Sequence, residues 1–261
     1  MRYFRLYKAC IKMNLKTMLQ YRTDFFVGAS STLLMQISSL VFLWAIFDNI
    51  NEFAGWSFYQ VVFVYGIFSI CRGLNHMFFD NLWIIGKEFI RKGSFDILLI
   101  RPASTLFQII AQKFQVDGIG TFVFGIAVSV AGYINLDVSI GFKGFLLIAL
   151  FAILGTGIIA VINLIFAVSS FWTVRSNNII WMVFSLADFA QYPLTIYHPV
   201  IRFILTYIIP YGFVSYYPIS YVLGKGSVYL ILSETLVLVA LMIAAKILWS
   251  IGVRRYESSG N

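Results

Sequence analysis

The sequence predicts an all-α integral membrane protein with six transmembrane helices. Three observations carry that prediction. Of 261 residues, 60% are hydrophobic and 11% charged, whereas soluble domains carry about 25% charged residues. The apolar residues gather into runs close to the length that crosses a bilayer. Lys and Arg flank those runs instead of forming one soluble patch. At this length the chain holds six spans with short loops and no added soluble domain, so residues 1–261 read as a single transmembrane domain. The net charge of +8 then points to membrane lipid and away from nucleic acid.

Residues 1–24 hold six basic residues and one acid. Phe4, Tyr7, Ile11, Leu15 and Met18 recur at helical spacing, and Arg5, Lys8, Lys12 and Lys16 repeat it one position on. That pattern predicts an amphipathic helix lying in the membrane interface. It has no compact apolar core followed by a small-residue cleavage site, so no cleavable signal peptide is expected.

The first span is expected over 26–47, followed by a loop whose charges are Asp48 and Glu52. The second begins near Phe58, stays apolar to Cys71, then turns polar through Arg72, Asn75, His76, Asp80 and Asn81. The third, 104–134, mirrors it, with Gln112, Lys113, Gln115 and Asp117 in its early half. The fourth is expected over 144–171, the fifth over 179–198 and the last over 228–250. Between the last two, residues 199–227 carry Pro199, Pro210 and Pro218 in a tyrosine-rich apolar sequence. Proline removes a backbone donor and breaks helices, so a re-entrant hairpin fits this stretch better than a seventh span.

Loop charges orient the chain. With six spans, one side collects thirteen Lys and Arg, from the N-terminus, the 86–102 loop, Arg175 and the Arg254–Arg255 tail. The other side has Lys143, Arg202 and Lys225. By the positive-inside rule both termini and the 86–102 loop are cytoplasmic.

Catalytic signatures are missing. Neither Gly86-Lys87 nor Gly224-Lys225 has the upstream glycine or following Ser/Thr of a phosphate-binding loop, and there is no HExxH or GxSxG. Cys10 and Cys71 make no metal or disulfide spacing. His76 and His198 are far apart. No GxxxG occurs; Gly125 and Ser129 form a small-xxx-small pair that suits helix packing. Membrane-embedded charges tend to pair. If the second helix ends near 85 and the third starts near 104, Arg72 and Asp117 lie level, about 20 Å from that end. Asp80 and Lys113 meet lower down, so the expected ladder is Arg72–Asp117 and Asp80–Lys113.

The stretch KEFIRKGSFDILLIRP (87–102) is a basic, half-apolar loop between spans. Phe89, Ile90, Phe95, Ile97 and Leu98 offer an apolar surface ringed by Arg91, Lys92 and Arg101. This loop, the amphipathic N-terminal helix and the later IIPYGFVSYYPISYVLGK segment together resemble the permease family of ABC type 2 exporters, over essentially the whole chain.

The resemblance implies a dimer of permeases, identical or sister chains, above separate ATP-binding-cassette subunits. Those subunits would bind ATP and Mg; this chain would bind no cofactor or metal and have no catalytic residue. The 86–102 loop would be the coupling helix, with Glu88, Phe89, Ile90, Arg91, Lys92, Phe95, Asp96, Ile97, Leu98, Leu99 and Arg101 as its contacts. Pro210, Gly212 and Pro218 would shape an extracytoplasmic re-entrant hairpin. The implied activity is export of a substrate such as a lipid, peptide antibiotic or other amphipathic compound. The alternatives are a substrate-binding importer component, which would lack the hairpin, and a secondary transporter, which would show broken helices in both halves. The abundant aromatics (26 Phe, 15 Tyr, 6 Trp) suit such a cargo and equally suit interfacial belts.

Overall fold

A computed structural model describes residues 2–20, 22–136, 138–173 and 177–257. Arg175, counted above in the cytoplasmic charge, lies outside the described residues. Helix α1 (Arg2–Gln20) is followed by α2 (Arg22–Phe47). A two-stranded hairpin, β1 (Glu52–Phe53) and β2 (Trp56–Ser57), then leads into α3 (Phe58–Phe79). The short helices α4 (Phe95–Leu99) and α5 (Thr105–Ala111) precede α6 (Gly118–Ile134), α7 (Phe142–Val168) and α8 (Asn177–Ala187). After α9 (Pro199–Phe203) and α10 (Tyr216–Val222), the chain ends in α11 (Tyr229–Arg255).

Among the described residues, four helices are long and apolar enough to cross a membrane: Phe26–Phe47, Phe58–Ile90, Phe142–Phe171 and Leu232–Arg255. The bent pair Pro199–Ile208 and Tyr211–Val222 makes a fifth if counted as one span. The expected third and fifth spans are not single helices. In the third, α5 stops at Ala111 and α6 starts only at Gly118. The polar stretch between them leaves helical geometry because it bonds sideways: the Gln115 N–H donates to Met77 O at 3.1 Å, and Gln115 Nε2 donates to Asp80 Oδ2 at 3.1 Å. The fifth ends as an α-helix at Ala187, and a tight turn carries the chain to Gln191. Tyr192, preceding Pro193, is then forced extended at φ −120°, ψ 157°.

The tightest seam is the antiparallel contact of α3 with α6. It is built from glycines seven residues apart, Gly66 and Gly73 on α3 and Gly118, Gly125 and Gly132 on α6. A Cβ at Gly125 would lie 2.6 Å from Ile70 N, and one at Gly73 2.5 Å from Phe122 N. Backbone approach this close needs glycine on the contact face. The Gly125–Ser129 pair belongs to this intramolecular seam. A heptad reading of the glycines, which a search restricted to GxxxG passes over, is the signal that marks it.

One hydrophobic core joins α3 to α7, α8, α10 and the 209–214 turn around Phe68, Ile158 and Tyr211. A second sits at the other end of the bundle around Leu82, Phe95, Leu98 and Val168. Helix α1 leans on α5: Tyr3 meets Phe107 edge-on at 4.7 Å, and Asn14 Nδ2 donates to Gln112 O at 3.3 Å. Its half-buried residues include Tyr7, Cys10 and Ile11, while Phe4 and Leu15 of the expected apolar stripe are exposed.

Candidate functional site

The basic loop is held by its own backbone before it is held by packing. Its helix runs past Phe79 through a π-helical turn, Ile85–Ile90. Gly93 then reverses the chain at φ 70°, a conformation open to glycine. Ser94 Oγ donates to Glu88 O across the reversal. Lys92 Nζ reaches the Glu88 carboxylate at 2.6 Å. From the far side, buried Gln108 donates through Nε2 to Leu98 O at 3.0 Å and to Ala103 O at 2.8 Å.

Packing divides the loop's side chains in two and corrects the expected contact surface. Phe95 is 0% exposed, Leu98 1% and Phe89 6%. Phe95 sits edge-on to Tyr256 at 4.8 Å, Phe171 at 5.4 Å and Trp249 at 6.2 Å. These three residues anchor the loop to α7 and α11 and leave little or nothing of their side chains on its surface. Burial, and next the nearby Asp96 carboxylate, push the Tyr256 phenol up to about 12. Ile90 is half-buried. What faces outward is Ile97 (49% exposed), Leu99 (47%) and Ile100 (83%), beside exposed Arg91, Lys92 and Arg101. Ile100 was not among the expected contacts. The alternation of buried and exposed positions in α4 is one helical turn too short to read from periodicity.

A second cluster lies within the bundle. Arg72 forms an ion pair with Asp188, just beyond α8, and its guanidinium lies 4.9 Å from the Phe184 ring centroid. His76 stands between two carboxylates, 3.5 Å from Asp80 and 3.3 Å from Asp117. The expected Arg72–Asp117 and Asp80–Lys113 ladder is thereby replaced. Asp117 turns to His76 because α6 begins at Gly118, which packs directly against Met77, the residue after His76. Asp80 accepts from Gln115, and Lys113 is exposed. Asn163 Nδ2 donates to Asn75 Oδ1 at 3.5 Å, which brings α7 to the same cluster. The acid that closes the Arg72 pair comes from a turn set by Pro193, so spacing along the second and third spans did not reveal it. Among the described residues no group of His, Cys, Asp or Glu is arranged to hold a metal.

At the opposite end, the 199–227 stretch breaks at Ile209–Pro210, and its two limbs meet at 79°. Gly212 passes under Leu194, where a Cβ would lie 2.5 Å from Leu194 Cδ1. Pro218 is buried in the first turn of α10, where its missing N–H is tolerated. Ser215 Oγ donates to Ala190 O at 2.6 Å. Lys225 closes this end over the β-hairpin, donating to Gly55 O at 2.5 Å and Gln60 Oε1 at 2.6 Å, with Nζ 4.3 Å from the Trp56 ring centroid. Burial in this clasp lowers the Lys225 ammonium below the ordinary lysine range, against an opposing pull from Glu52.

No curated protein and no solved structure matches the chain. The profile described as ABC-2 family transporter protein matches residues 33–260, which takes in the basic loop, the half-buried charge cluster and the bent pair. Membrane subunits of that family are transport components, generally not themselves ATPases, and generally pair with an ATPase subunit. The chain, a multi-pass membrane protein by its apolar helices, belongs to the ABC-2 transporter family.

Proposed function

We propose that this chain is the permease subunit of an ABC exporter, moving an amphipathic substrate across the inner cell membrane with force from a separate ATPase subunit. The observation that carries the reading is the division of the 86–102 loop. Phe95, Leu98 and Phe89 lock it to the bundle, while Ile97, Leu99 and Ile100 present an apolar patch beside Arg91, Lys92 and Arg101. An apolar centre with a charged rim is the composition of a protein-docking surface. A rigidly anchored patch also transmits a push from its partner, which a floppy loop would absorb. ATP and Mg would bind the partner, since this chain carries no phosphate-binding loop.

The bias of thirteen Lys and Arg to three supports a cytoplasmic location for the N-terminus, the loop and the C-terminus. The six-span count is kept in this proposal by treating α5 with α6, and α8 with the turns up to Ile196, as interrupted spans. The bent pair would be the re-entrant hairpin lining the exit. Helix α2 supports a second permease copy. Its span is 6% buried within this chain, yet it carries Ser31, Ser38 and Ser39 in an apolar surround.

Ile100→Asp tests the docking assignment, because Ile100 is 83% exposed and its replacement leaves the buried anchor intact. The variant should insert and purify normally while ATPase co-purification and transport fall together. Normal capture of the ATPase with full transport would remove the patch from the coupling surface. For orientation, an impermeant thiol reagent should modify Glu52→Cys in intact cells and spare Ile100→Cys; the reverse pattern overturns the topology.

A further inference from the structure

A groove of about 340 Å³ runs between α5, α7 and α11 at the same end of the bundle as the basic loop, lined by Leu106, Ile110, Val161, Leu164, Met242 and Trp249 among others. Its lining is apolar except for Lys246. Lys246 lies inside the span Leu232–Arg255, three residues before Trp249, or roughly 5 Å from it along the helix axis.

Ionisable groups at that depth ordinarily pair. Arg72 and His76 obey this, each facing a carboxylate. Lys246 has no ion pair or hydrogen bond among the described residues, and no acid shares the groove. Trp249, one turn further along α11, adds the amphipathic ring characteristic of the headgroup level. An apolar channel with a single unpaired cation at its rim matches an acyl chain joined to an anion.

We propose that this groove is a binding site for an anionic phospholipid of the leaflet on the loop side, its acyl chain along α7 and α11 and its phosphate at Lys246. The leaflet named rests on the orientation proposed above; the site itself does not. Bound there, the lipid lies against Leu82 and Trp249, which belong to or pack on the core that anchors Phe95. Its presence would brace the loop.

The test is native mass spectrometry of the full-length permease released from mixed phosphatidylglycerol and phosphatidylcholine vesicles. The wild type should retain phosphatidylglycerol in preference. Lys246→Gln should lower that preference about fivefold, the effect of losing one lysine at a charged surface. Met242→Trp, at a half-exposed groove position, should lower retention of both lipids by filling the channel. Arg254→Gln, on the same helix outside the groove, should change neither. Retention unchanged in Lys246→Gln, an equal loss in Arg254→Gln, or full retention in Met242→Trp would each overturn the site. Capture of an exported amphiphile there in place of either lipid would overturn the assignment of its occupant.

Discussion

Helices α3 and α11 are both long and apolar, and the less hydrophobic of the two is the one at the centre. In the span Phe58–Ile90, 72% of the apolar window is buried, at a hydropathy of 1.3; in Leu232–Arg255 the figures are 11% and 2.4. A soluble protein would sort them the other way. In lipid the acyl chains are as apolar as leucine, so hydrophobicity gives no reason to hide. What draws α3 inward is what lipid cannot satisfy: glycines that let backbones touch, and the polar side chains of Arg72 and His76. Helix α2 shows the limit of the rule, since its span is 6% buried at a hydropathy of 1.6.

The largest effect should come from filling the α3–α6 seam. A side chain at Gly125 meets backbone, with Ile70 N at 2.6 Å and Ser69 C at 2.9 Å, so nothing flexible can yield. Gly125→Leu should cost about 3 kcal/mol or more, read as loss of the monodisperse peak or a large drop in thermal midpoint in detergent. Ala240→Leu, exposed on α11, should stay within about 0.5 kcal/mol of wild type. Equal tolerance at both positions would erase the distinction between the two helices.

Phe95→Ala comes next. Phe95 is 0% exposed and touches the rings of Phe171, Trp249 and Tyr256. Truncating a buried phenylalanine costs about 3–5 kcal/mol in soluble cores; the smaller driving force in lipid places this variant toward the low end. The expected signature is a thermal shift together with loss of ATPase capture. Ile100→Asp should instead lose capture without the thermal shift. Loss of capture with an unchanged midpoint in Phe95→Ala would return that side chain to the docking surface.

Much of the architecture was legible because hydropathy and proline act locally. The spans at 26–47, 58–85, 144–171 and 228–250 and the break at Pro210 all follow from runs and breakers. The interrupted spans were less so. Pro193 was available to end α8, but the apolar residues around it masked the stop. The break before Gly118 depends on a tertiary hydrogen bond from Gln115 to Met77 that no local pattern encodes. Burial of Phe95 beside exposure of Ile100 was invisible for the same reason. Both are apolar loop residues, and only the docking of Tyr256 and Trp249 tells them apart.

Glu234 gives a smaller effect with the opposite sign. It is 0% exposed on α11, and neither carboxylate oxygen has a hydrogen-bond partner among the described residues. A buried polar group left unsatisfied costs about 1–3 kcal/mol. Glu234→Met should therefore raise the thermal midpoint by an amount of that order. Loss of stability would mean that the buried acid is satisfied where it sits and that α11, like α3, is held by polar contacts.

The smallest effect decides whether charge or glycine places α3. Arg72 meets Asp188 with both side chains partly exposed, 34% and 47%, so the pair is worth less than a fully buried one. Polar pairs in membrane bundles average about 0.6 kcal/mol in double-mutant cycles. A cycle of Arg72→Ala with Asp188→Asn should show coupling of that size, the double variant losing less than the two singles together. The cycle of Arg72→Ala with Asp117→Asn should be additive, because Asp117 faces His76 at 3.3 Å. Coupling to Asp117 in place of Asp188 would move α6, not α8, into register with Arg72. Additivity in both cycles, with Gly125→Leu still severe, would leave the glycine seam as the element that seats α3, and would make its charges available for the substrate's path.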